Sequence, residues 1–364
     1  MKCSEWKDLS EIAILKRGIV ISKDYLRDNN GDYPVYSSQT VDNGIMGYID
    51  TFMFDGEFLT WTTDGANAGT IFHRKGKFNI TNVCGLIEIL DDTTIKYRFL
   101  YFWLSYIAKQ YVLEGMGNPK LMSNRMGLIK IPLPHIKVQE EIVKILDSFT
   151  NLIDALNEEL SLRQKQFEYY REKLLTYKEE FVVDTLENIA PYSKKRISSE
   201  ELNETNYVGV DNLLQNKEGK TNSKNVPISG NLTRYEKGDI LIGNIRPYLK
   251  KIWYADNVGG ASGDVLVFSI KEKELINSRY LYYILSSDEF FDFDNSTARG
   301  GSMPRGDKKV ICKYSIWYPK DIEIQKNIVE KLDAFESLIS SLKEEIALRQ
   351  KQYEYYREKL LTFD

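Results

Sequence analysis

Apolar residues recur at alternating steps of four and three along two segments of the chain, and each series predicts a long helix. The first series covers residues 142–177 and the second covers residues 328–363, with one charged interruption each, at Arg163 and Arg349. A spacing that averages 3.5 residues over about five heptads is typical of a coiled coil, and neither segment contains glycine or proline. Such a helix extends about 60 Å, far beyond the core of one small domain. We therefore expect two long helices that act as spacers.

The two helical segments are copies of one another. Residues 163–176 return as residues 349–362 with a single change, at a shift of 186 residues. The match continues upstream to Gln139 and Gln325. A shift of about half the chain indicates duplication of a whole half and not a short solenoid period. The chain is thus expected to perform its function twice.

The rest of the chain divides into two segments, each of the size of one domain. Residues 1–137 precede the first helix, placed at 138–180, and residues 181–324 precede the second helix, placed at 325–364. The landmarks that match between them are short amphipathic helices at 96–104 and 277–285, and the prolines Pro119, Pro134, Pro304 and Pro319. Between these landmarks the segments diverge. Similar helices joined to dissimilar domains suggest a fixed frame that carries two different specificities.

Both segments contain short runs of β-branched and aromatic residues separated by Gly, Asn and Asp, which predict strands. These runs lie at 58–62, 70–72, 83–90, 239–242, 251–254 and 264–270. The pattern predicts α+β domains, mostly sheet with one or two helices. A polar turn lies in the middle of each sheet region, at 62–67 and at 243–248, and is a candidate for ligand contact. A plain hairpin connection is the alternative interpretation of each turn.

Composition sets the class of protein. The 364 residues are 42% hydrophobic, which is enough to bury two cores, and no stretch reads as a membrane span or a signal peptide. The odd set of scattered cysteines, Cys3, Cys84 and Cys312, fits reduced thiols. Only two histidines are present, so no zinc site is expected. We expect a soluble, cytoplasmic protein without a membrane partner.

Basic residues gather in loop-like stretches although the formal net charge is -4. Such stretches mix cations with Gly, Asn, Ser or Tyr, the types that reach phosphates and base edges of nucleic acid. In the first segment the candidate DNA-binding residues are Lys16, Arg17, Thr63, Asn67, Arg74, Lys75, Lys120 and Arg125. In the second segment they are Lys195, Arg196, Asn244, Arg246, Tyr248, Lys250, Arg299, Arg305 and Lys308. For any one cluster, solvated surface is the alternative.

The outer faces of the predicted helices are candidates for binding a protein partner. The residues concerned are Gln164, Glu168, Tyr169, Gln350, Glu354 and Tyr355. The neighbouring tyrosines Tyr170 and Tyr356 lie on the apolar seam, where we expect core packing. A merely solvated outer face is the alternative.

The chain resembles the specificity subunit of type I restriction-modification systems over its whole length. The residues that carry the resemblance are the paired helix segments 163–166 and 349–352, the strand and turn at 238–242 and 244–247, and the proline-ended segments 131–134 and 317–319. The resemblance implies the order target recognition domain 1 (1–137), conserved helix (138–180), target recognition domain 2 (181–324) and conserved helix (325–364). The expected fold is α+β, with two globular domains separated by a pair of long antiparallel coiled-coil helices, in a pseudo-twofold symmetric arrangement.

The resemblance also implies that the chain is not an enzyme. The sequence agrees, because it contains no adenine-methyltransferase motif of the Asn-Pro-Pro-Tyr type and no Walker lysine loop. No cofactor is expected on this chain; S-adenosylmethionine, ATP and Mg are expected on partner subunits only. The implied partners are double-stranded DNA, two modification (methyltransferase) subunits and restriction (translocase and nuclease) subunits.

A geometric hypothesis follows. Recognition faces about one DNA turn apart, roughly 34 to 36 Å, would read two half-sites along one side of a duplex. The target would then be bipartite and asymmetric, with an unread spacer whose length the helices fix; four residues inserted into the first helix should change that length. An autonomous DNA-binding regulator and a coiled-coil scaffold without DNA affinity remain as alternatives.

Overall fold

The computed structural model of the chain describes residues 5–115, 117–176 and 178–363. The seam position Tyr177 and the thiol of Cys3 lie outside the described residues. The chain divides into two compact units: unit one is Met1–Glu159 together with Lys343–Asp364, and unit two is Leu160–Leu342. By residue range, each long helix begins in one unit and ends in the other.

Unit one is a mixed domain built on a six-stranded sheet. Its elements are β1 (Trp6–Asp8), α1 (Leu9–Ile12), β2 (Ala13–Arg17), α2 (Lys23–Asp28), β3 (Tyr33–Tyr36), β4 (Ile45–Ile49), β5 (Phe54–Thr62), β6 (Ile71–Ile80), β7 (Cys84–Ile89), α3 (Tyr97–Ile107), α4 (Ser123–Met126), β8 (Lys130–Pro132) and the start of α5 (Ile136–Leu175). The strand order is β2-β7-β5-β6-β3-β4, and β1 pairs separately with β8. The core lies between the sheet, α3 and the long helices, with Trp61, Phe99 and Phe102 fully buried.

Unit two repeats the plan with smaller sheets. Its elements are β9 (Val182–Thr185), α6 (Leu186–Ile189), β10 (Arg196–Ser198), β11 (Tyr207–Val208), β12 (Asn231–Tyr235), β13 (Ile240–Gly243), β14 (Ile252–Tyr254), β15 (Gly259–Ala261), β16 (Val265–Phe268), α7 (Ser278–Leu285), α8 (Asp288–Thr297), α9 (Lys308–Ile311), β17 (Ser315–Tyr318) and most of α10 (Ile322–Leu360). The sheets have the orders β10-β12-β15-β11, β14-β13-β16 and β17-β9. The core combines α7, α8 and the central strands with the ends of the long helices.

The globular part of each unit begins with a short repeated segment that the sequence analysis did not predict. The strand and helical turn β1–α1 correspond to β9–α6, and the first strand of each pair is closed by the strand that leads into a long helix, β8 or β17. The sequence contains a signal of this repeat: Leu9, Ile12 and Ala13 recur as Leu186, Ile189 and Ala190. All six residues are buried. These two strands bring the first and last parts of each domain together, so that the helix leaves beside the point where the domain begins.

A buried glutamine joins the start of each long helix to its domain. The Gln139 side chain donates to the carbonyl oxygens of Thr94 and Pro134 at 2.9 Å, and accepts from the backbone N–H of Lys96 at 3.0 Å. In unit two, Gln325 donates to the carbonyl oxygens of Leu275 and Pro319 at 3.0 and 2.8 Å, and accepts from the backbone N–H of Asn277 at 2.8 Å. Both glutamines are 0% exposed. The same three backbone groups are thus satisfied in the same way in both halves.

About two helix turns further on, an ion pair repeats as well. Arg98 on α3 donates from Nε to Asp147 Oδ1 at 2.6 Å, and Arg279 on α7 donates to Asp333 Oδ1 at 2.8 Å. The glutamine and the ion pair together fix the angle at which α5 and α10 leave their domains.

The end of each long helix packs into the unit in which the other helix begins. In unit one, Leu361 is 1% exposed in the core beside Ile142 and Leu146, and Tyr356 stacks on Phe149 with ring centroids 5.3 Å apart. In unit two, Tyr170 stacks on Phe335 at 5.4 Å. Within each unit the two helix segments therefore run antiparallel. Tyr170 and Tyr356 contact the facing helix segment through their rings, but they remain 36% and 42% exposed, so the expected core packing is wrong.

The predicted strands and short helices are present, although β5 and β6 are several residues longer than predicted. Several basic stretches expected in loops lie in regular elements: Lys16 and Arg17 in β2, the run 73–77 in β6, Arg196 in β10 and Lys308 in α9. Strand β6 pairs with β5 along its length, with Lys75 opposite Glu57. The long helices end at Leu175 and Leu360, earlier than the predicted 180 and 364. None of the helices in the described part of the chain is long and apolar enough to cross a membrane.

Candidate nucleic-acid interface

In unit one, the polar turn after the central strand is joined to a second loop by backbone hydrogen bonds. The amide of Gly65 donates to the carbonyl oxygen of Pro119 at 3.0 Å, and the amide of Leu121 donates to that of Thr63 at 2.9 Å. Lys120 lies between these two contacts and bridges to the backbone of Asp64. We call the turn 62–67 together with residues 113–115 and 117–121 the junction of unit one.

Unit two builds the same junction from a different sequence. The amide of Arg246 donates to the carbonyl oxygen of Pro304 at 2.7 Å, and the amide of Gly306 donates to that of Asn244 at 3.3 Å. Arg305 bridges to Ile245, as Lys120 bridges to Asp64. The turn 243–248 and the loop 299–306 form the junction of unit two. Two polar segments that the sequence singled out separately therefore meet in each unit, at equivalent places.

Cations of unit one gather at its junction around Asp64. The guanidinium of Arg17 and the ammonium of Lys120 each lie 3.9 Å from a carboxylate oxygen of Asp64. Asn67 is exposed and donates to Thr40 Oγ1 at 3.2 Å. Arg125 is half-buried nearby in the chain and donates to the carbonyl oxygen of Tyr111 at 3.1 Å.

Cations of unit two are arranged around its junction by carbonyl and carboxylate oxygens. Arg246 has a left-handed backbone, with φ of +53°, and its Nε and Nη2 both donate to the carbonyl oxygen of Ser302 at 3.2 Å. Arg305 donates to Asp264 at 3.0 Å. The other two cations of the junction region are Lys308, which donates to the carbonyl oxygen of Gly263 at 3.0 Å, and Arg299, which lies 3.5 Å from Asp307 with 84% of its side chain exposed. The Tyr248 side chain projects beside them, 52% exposed.

These pairs leave the cations available to DNA. An ion pair at the surface contributes only about 0–1 kcal/mol, so a phosphate can replace the carboxylate at little cost. Asp64 and Asp264, which the sequence reading did not select, can in turn accept a hydrogen bond from a cytosine amino group. Each junction therefore carries both cationic and carboxylate side chains.

Five further candidates lie away from the junctions, each with a partner on a neighbouring element. Lys16 pairs with Glu88, Lys75 lies 3.4 Å from Glu57, Lys195 lies 3.4 Å from Glu236, Arg196 donates to Thr233 at 3.1 Å, and Lys250 lies 2.8 Å from Asp288. Burial alone would raise the pKa of Asp288, but hydrogen bonds from Lys217 and Lys250 outweigh it and lower the pKa to about 2. Lys250 is thus held against α8 and not at the junction of unit two.

Three candidates are buried, which corrects the expectation that they face solvent. Arg74 is 2% exposed, because alternation along β6 turns it inward, where its guanidinium stacks 3.6 Å from the ring centre of Tyr36. Thr63 is 0% exposed and donates to Asp64, and Asn244 is 2% exposed. In this conformation these side chains support the binding surface and do not form it.

The candidate partner-binding positions are all on the outside of the long helices. The exposed residues are Gln164, Glu168, Tyr169, Gln350, Glu354 and Tyr355. Two leucines that were not selected lie one heptad before the tyrosines: Leu162 is 54% exposed and Leu348 is 57% exposed. Each helix therefore presents the same apolar pair, Leu162 with Tyr169 or Leu348 with Tyr355.

Duplicated units, each with a polar junction, and repeated long helices define a modular protein that carries two domains of one kind, and comparison with known families identifies its class. The family model of the type I restriction modification DNA specificity domain matches residues 1–162 and again residues 178–348. The chain belongs to this family.

The relatives agree over the full length. A candidate type I specificity subunit of Mycoplasma pneumoniae is 30% identical over 98% of this chain and 96% of its own. A candidate type I restriction enzyme specificity subunit of Haemophilus influenzae is 31% identical over 99% of this chain and 95% of its own. The crystal structure of a type I restriction-modification S subunit from M. genitalium has the same fold, with a TM-score of 0.67 and 17% identity over 98% of this chain and 96% of that one. DNA recognition in a restriction-modification system is the function of this non-catalytic family.

Proposed function

We propose that each unit reads one half of a bipartite, asymmetric DNA target through its junction. The observation that carries the proposal is the repeated junction itself: equivalent backbone hydrogen bonds present Lys120 in unit one and Arg305 in unit two, while the surrounding side chains differ. A backbone arrangement that recurs while its side chains differ suits two domains that bind DNA in the same way but recognise different base sequences.

Within each junction, some side chains are proposed to position the protein on DNA phosphates and others to recognise bases. Arg17, Arg299 and Lys308 are proposed to contact phosphates, because lysine and exposed arginine bind them without regard to sequence. Asn67, Arg246 and Tyr248 on the turns are proposed to reach base edges, together with the bridged pair Lys120 and Arg305. Lys16, Lys75, Lys195, Arg196 and Lys250 add positive charge along the flanking surfaces.

The long helices are proposed to set the length of the unread spacer. Each helix is built into both units by buried residues at its two ends, such as Leu146 and Leu175 of α5. A helix fixed at both ends is a rigid element of defined length. The separation of the two blocks of the target would therefore be constant.

Two modification subunits are proposed to dock on the outer faces of the helices. The exposed apolar pairs Leu162–Tyr169 and Leu348–Tyr355, flanked by Gln164, Glu168, Gln350 and Glu354, occur once in each copy of the helix. Exposed apolar groups with polar neighbours are typical of protein interfaces. S-adenosylmethionine, ATP and Mg would be bound by the modification and restriction subunits, and none by this chain.

The proposed readout is tested by producing the chain together with its modification subunit and mapping methylated adenines across the host genome. We expect one asymmetric motif of two defined blocks at a fixed distance, absent when the chain is left out. A single continuous motif would contradict the proposal. Site-specific binding by the chain alone, without any methylation, would favour the autonomous regulator, and no DNA binding in any form would favour the scaffold.

Docking is tested by the mass of the purified complex. Tyr169→Ala and Tyr355→Ala should each remove one modification subunit, and the double variant should remove both. Tyr355→Phe is the matched control, because it keeps the ring and should retain both subunits. Complexes of unchanged mass in the double variant would exclude this surface.

A further inference from the structure

A carboxyl group without a partner lies buried beneath the junction of unit two. Asp294, on α8, is 0% exposed, and neither of its carboxylate oxygens has a hydrogen-bond partner among the residues that the structure describes. Asn244, at the start of the junction turn, is 2% exposed, and its Oδ1 is unpartnered within the same described part of the chain. Buried polar groups almost always have partners, because leaving them without one is costly.

The two side chains converge on one point, at Gly306. A Cβ at that residue would lie 2.0 Å from Asp294 Oδ1 and 3.0 Å from Asn244 Oδ1. Only glycine allows the loop to pass so close to the carboxyl group. The amide of Gly306 also donates to the backbone oxygen of Asn244, so the carboxyl group, the turn and the loop meet in one place.

Asp294 Oδ1 and Asn244 Oδ1 are both acceptors while the carboxyl group is ionised, and a proton on that group allows a hydrogen bond between them. A carboxylic acid supplies that proton, whereas a carboxylate does not. Burial raises the pKa of Asp294 to about 7, so the neutral acid is accessible under ordinary conditions.

Among the residues that the structure describes, no cation forms a hydrogen bond with Asp294. The titratable groups near it are Tyr192, Cys312 and Asp307; burial raises the pKa of Tyr192, and Cys312, Asp294 and Asp307 raise it further. The cations of the junction are held elsewhere: Arg305 by Asp264, Arg299 by Asp307, Lys308 by the carbonyl oxygen of Gly263, and Arg246 by that of Ser302.

We propose that Asp294 is a protonated positioning residue, whose carboxylic acid donates to Asn244 Oδ1 and so fixes the turn that presents Arg246 to DNA. The inference rests on the proposed function of the junction. Loss of the proton removes the hydrogen bond and places a negative charge under a surface meant for DNA. Reading by unit two should therefore weaken as the pH rises, while reading by unit one should not.

The first arm of the test needs no DNA. The pKa of Asp294 in the folded protein, about 7, lies above the ordinary value of 3.8, so the folded state binds more protons than the unfolded state between these values. Stability of unit two should accordingly fall as the pH rises from about 4 to about 7. In Asp294→Asn, which cannot titrate, this part of the slope should be absent. Equal slopes for the two proteins, measured by hydrogen exchange in α8 and β13, would overturn the proposal.

The second arm measures binding by the assembled complex to the duplex identified by methylation mapping. Asn carries an N–H donor where the acid carries its proton, so Asp294→Asn should bind like the wild type at pH 6 and keep that affinity at pH 8. The wild type should lose about tenfold between these pH values, as expected for one lost hydrogen bond at a binding surface. Asp294→Ala should be weak at both pH values.

The two blocks of the target act as internal controls. Changes in the block read by unit one should cost every variant the same loss of affinity. The proposal would be contradicted if Asp294→Asn bound DNA as weakly as Asp294→Ala. It would also be contradicted if the affinity of Asp294→Asn fell with rising pH as that of the wild type does. That second result is expected if the Asn244 amide is turned to donate to an ionised Asp294. A wild type that discriminates neither block would instead refute the proposed function, with the stability arm unaffected.

Discussion

At the scale of single residues, the buried glutamines are the most informative positions of the frame. Gln139 and Gln325 each satisfy three backbone groups between a domain and a long helix. A glutamine is suited to this place because its side chain both donates and accepts. The repeat in the sequence marked these residues as equivalent, but only the contacts reveal their purpose.

Replacement of Gln325 by alanine should open the link between α10 and α7. Three buried backbone groups would lose their partners, and we expect a loss of about 3 kcal/mol in local stability, since each such group costs about 1–3 kcal/mol and the site can partly relax. Hydrogen exchange in α7 measures the loss, and Gln139→Ala should produce the equivalent effect in α3. Gln164→Ala, at an exposed position, should change stability by no more than about 0.5 kcal/mol. A Gln325→Ala protein as protected as this control would show that the link is dispensable.

Single residues also show why part of the candidate site could not be predicted. Arg74 has the sequence neighbourhood of a solvated basic run, yet it is stacked on Tyr36, a residue distant in the chain. Asp294 appears in the sequence as one of several acidic residues on a short helix, and only the approach of Gly306 shows that it is buried. Both facts depend on contacts between distant segments, which local patterns do not contain.

At the scale of elements, the periodicity of the sequence predicted the helices well and the sheets in part. Five heptads give a strong and repeated signal, whereas the strands β1 and β8 are three residues long and pair across more than a hundred residues. The two polar turns were correctly singled out, because Gly, Asn and Asp punctuate the strands. Their meeting with the loops that carry Lys120 and Arg305 required the fold.

The ends of the long helices should stabilise the unit in which they are buried. Leu361 is 1% exposed in the core of unit one, and Leu175 is 7% exposed in the core of unit two. Leu361→Ala should cost about 3 kcal/mol and expose unit one to proteolysis, while Leu175→Ala should do the same to unit two. Mass spectrometry of the first fragments released would distinguish the two results. First cleavage of unit two in Leu361→Ala would contradict this assignment.

The helices should also determine the spacing of the target. Insertion of seven residues at the same repeat position in both helices keeps the seam in register and adds about 10 Å of helix. The unread spacer should lengthen by about three base pairs, and both blocks should stay the same. Methylation mapping reads the spacer directly, with insertion of the same residues between the exposed residues Ile228 and Ser229 as the control. An unchanged spacer would show that the helices do not set it.

At the scale of the whole molecule, the duplication separates frame from specificity. The frame consists of contacts that recur with the same partners, such as the buried glutamine and the ion pairs Arg98–Asp147 and Arg279–Asp333. We assign DNA sequence specificity to the two junctions, because their backbone hydrogen bonds are equivalent while their side chains differ. Under the proposed function, this division allows one architecture to read two unrelated half-sites.

The central claim, that each unit reads its own half of the target, is tested most directly by mapping methylated adenines for two matched variants. Lys120→Ala and Arg305→Ala remove the cation at the equivalent bridged position of each junction. Each should relax recognition or lower methylation for one block only, by about 1–3 kcal/mol for a base contact, and the two variants should affect opposite blocks without changing the spacer. Relaxation of both blocks by one variant, or of the same block by both, would contradict the account.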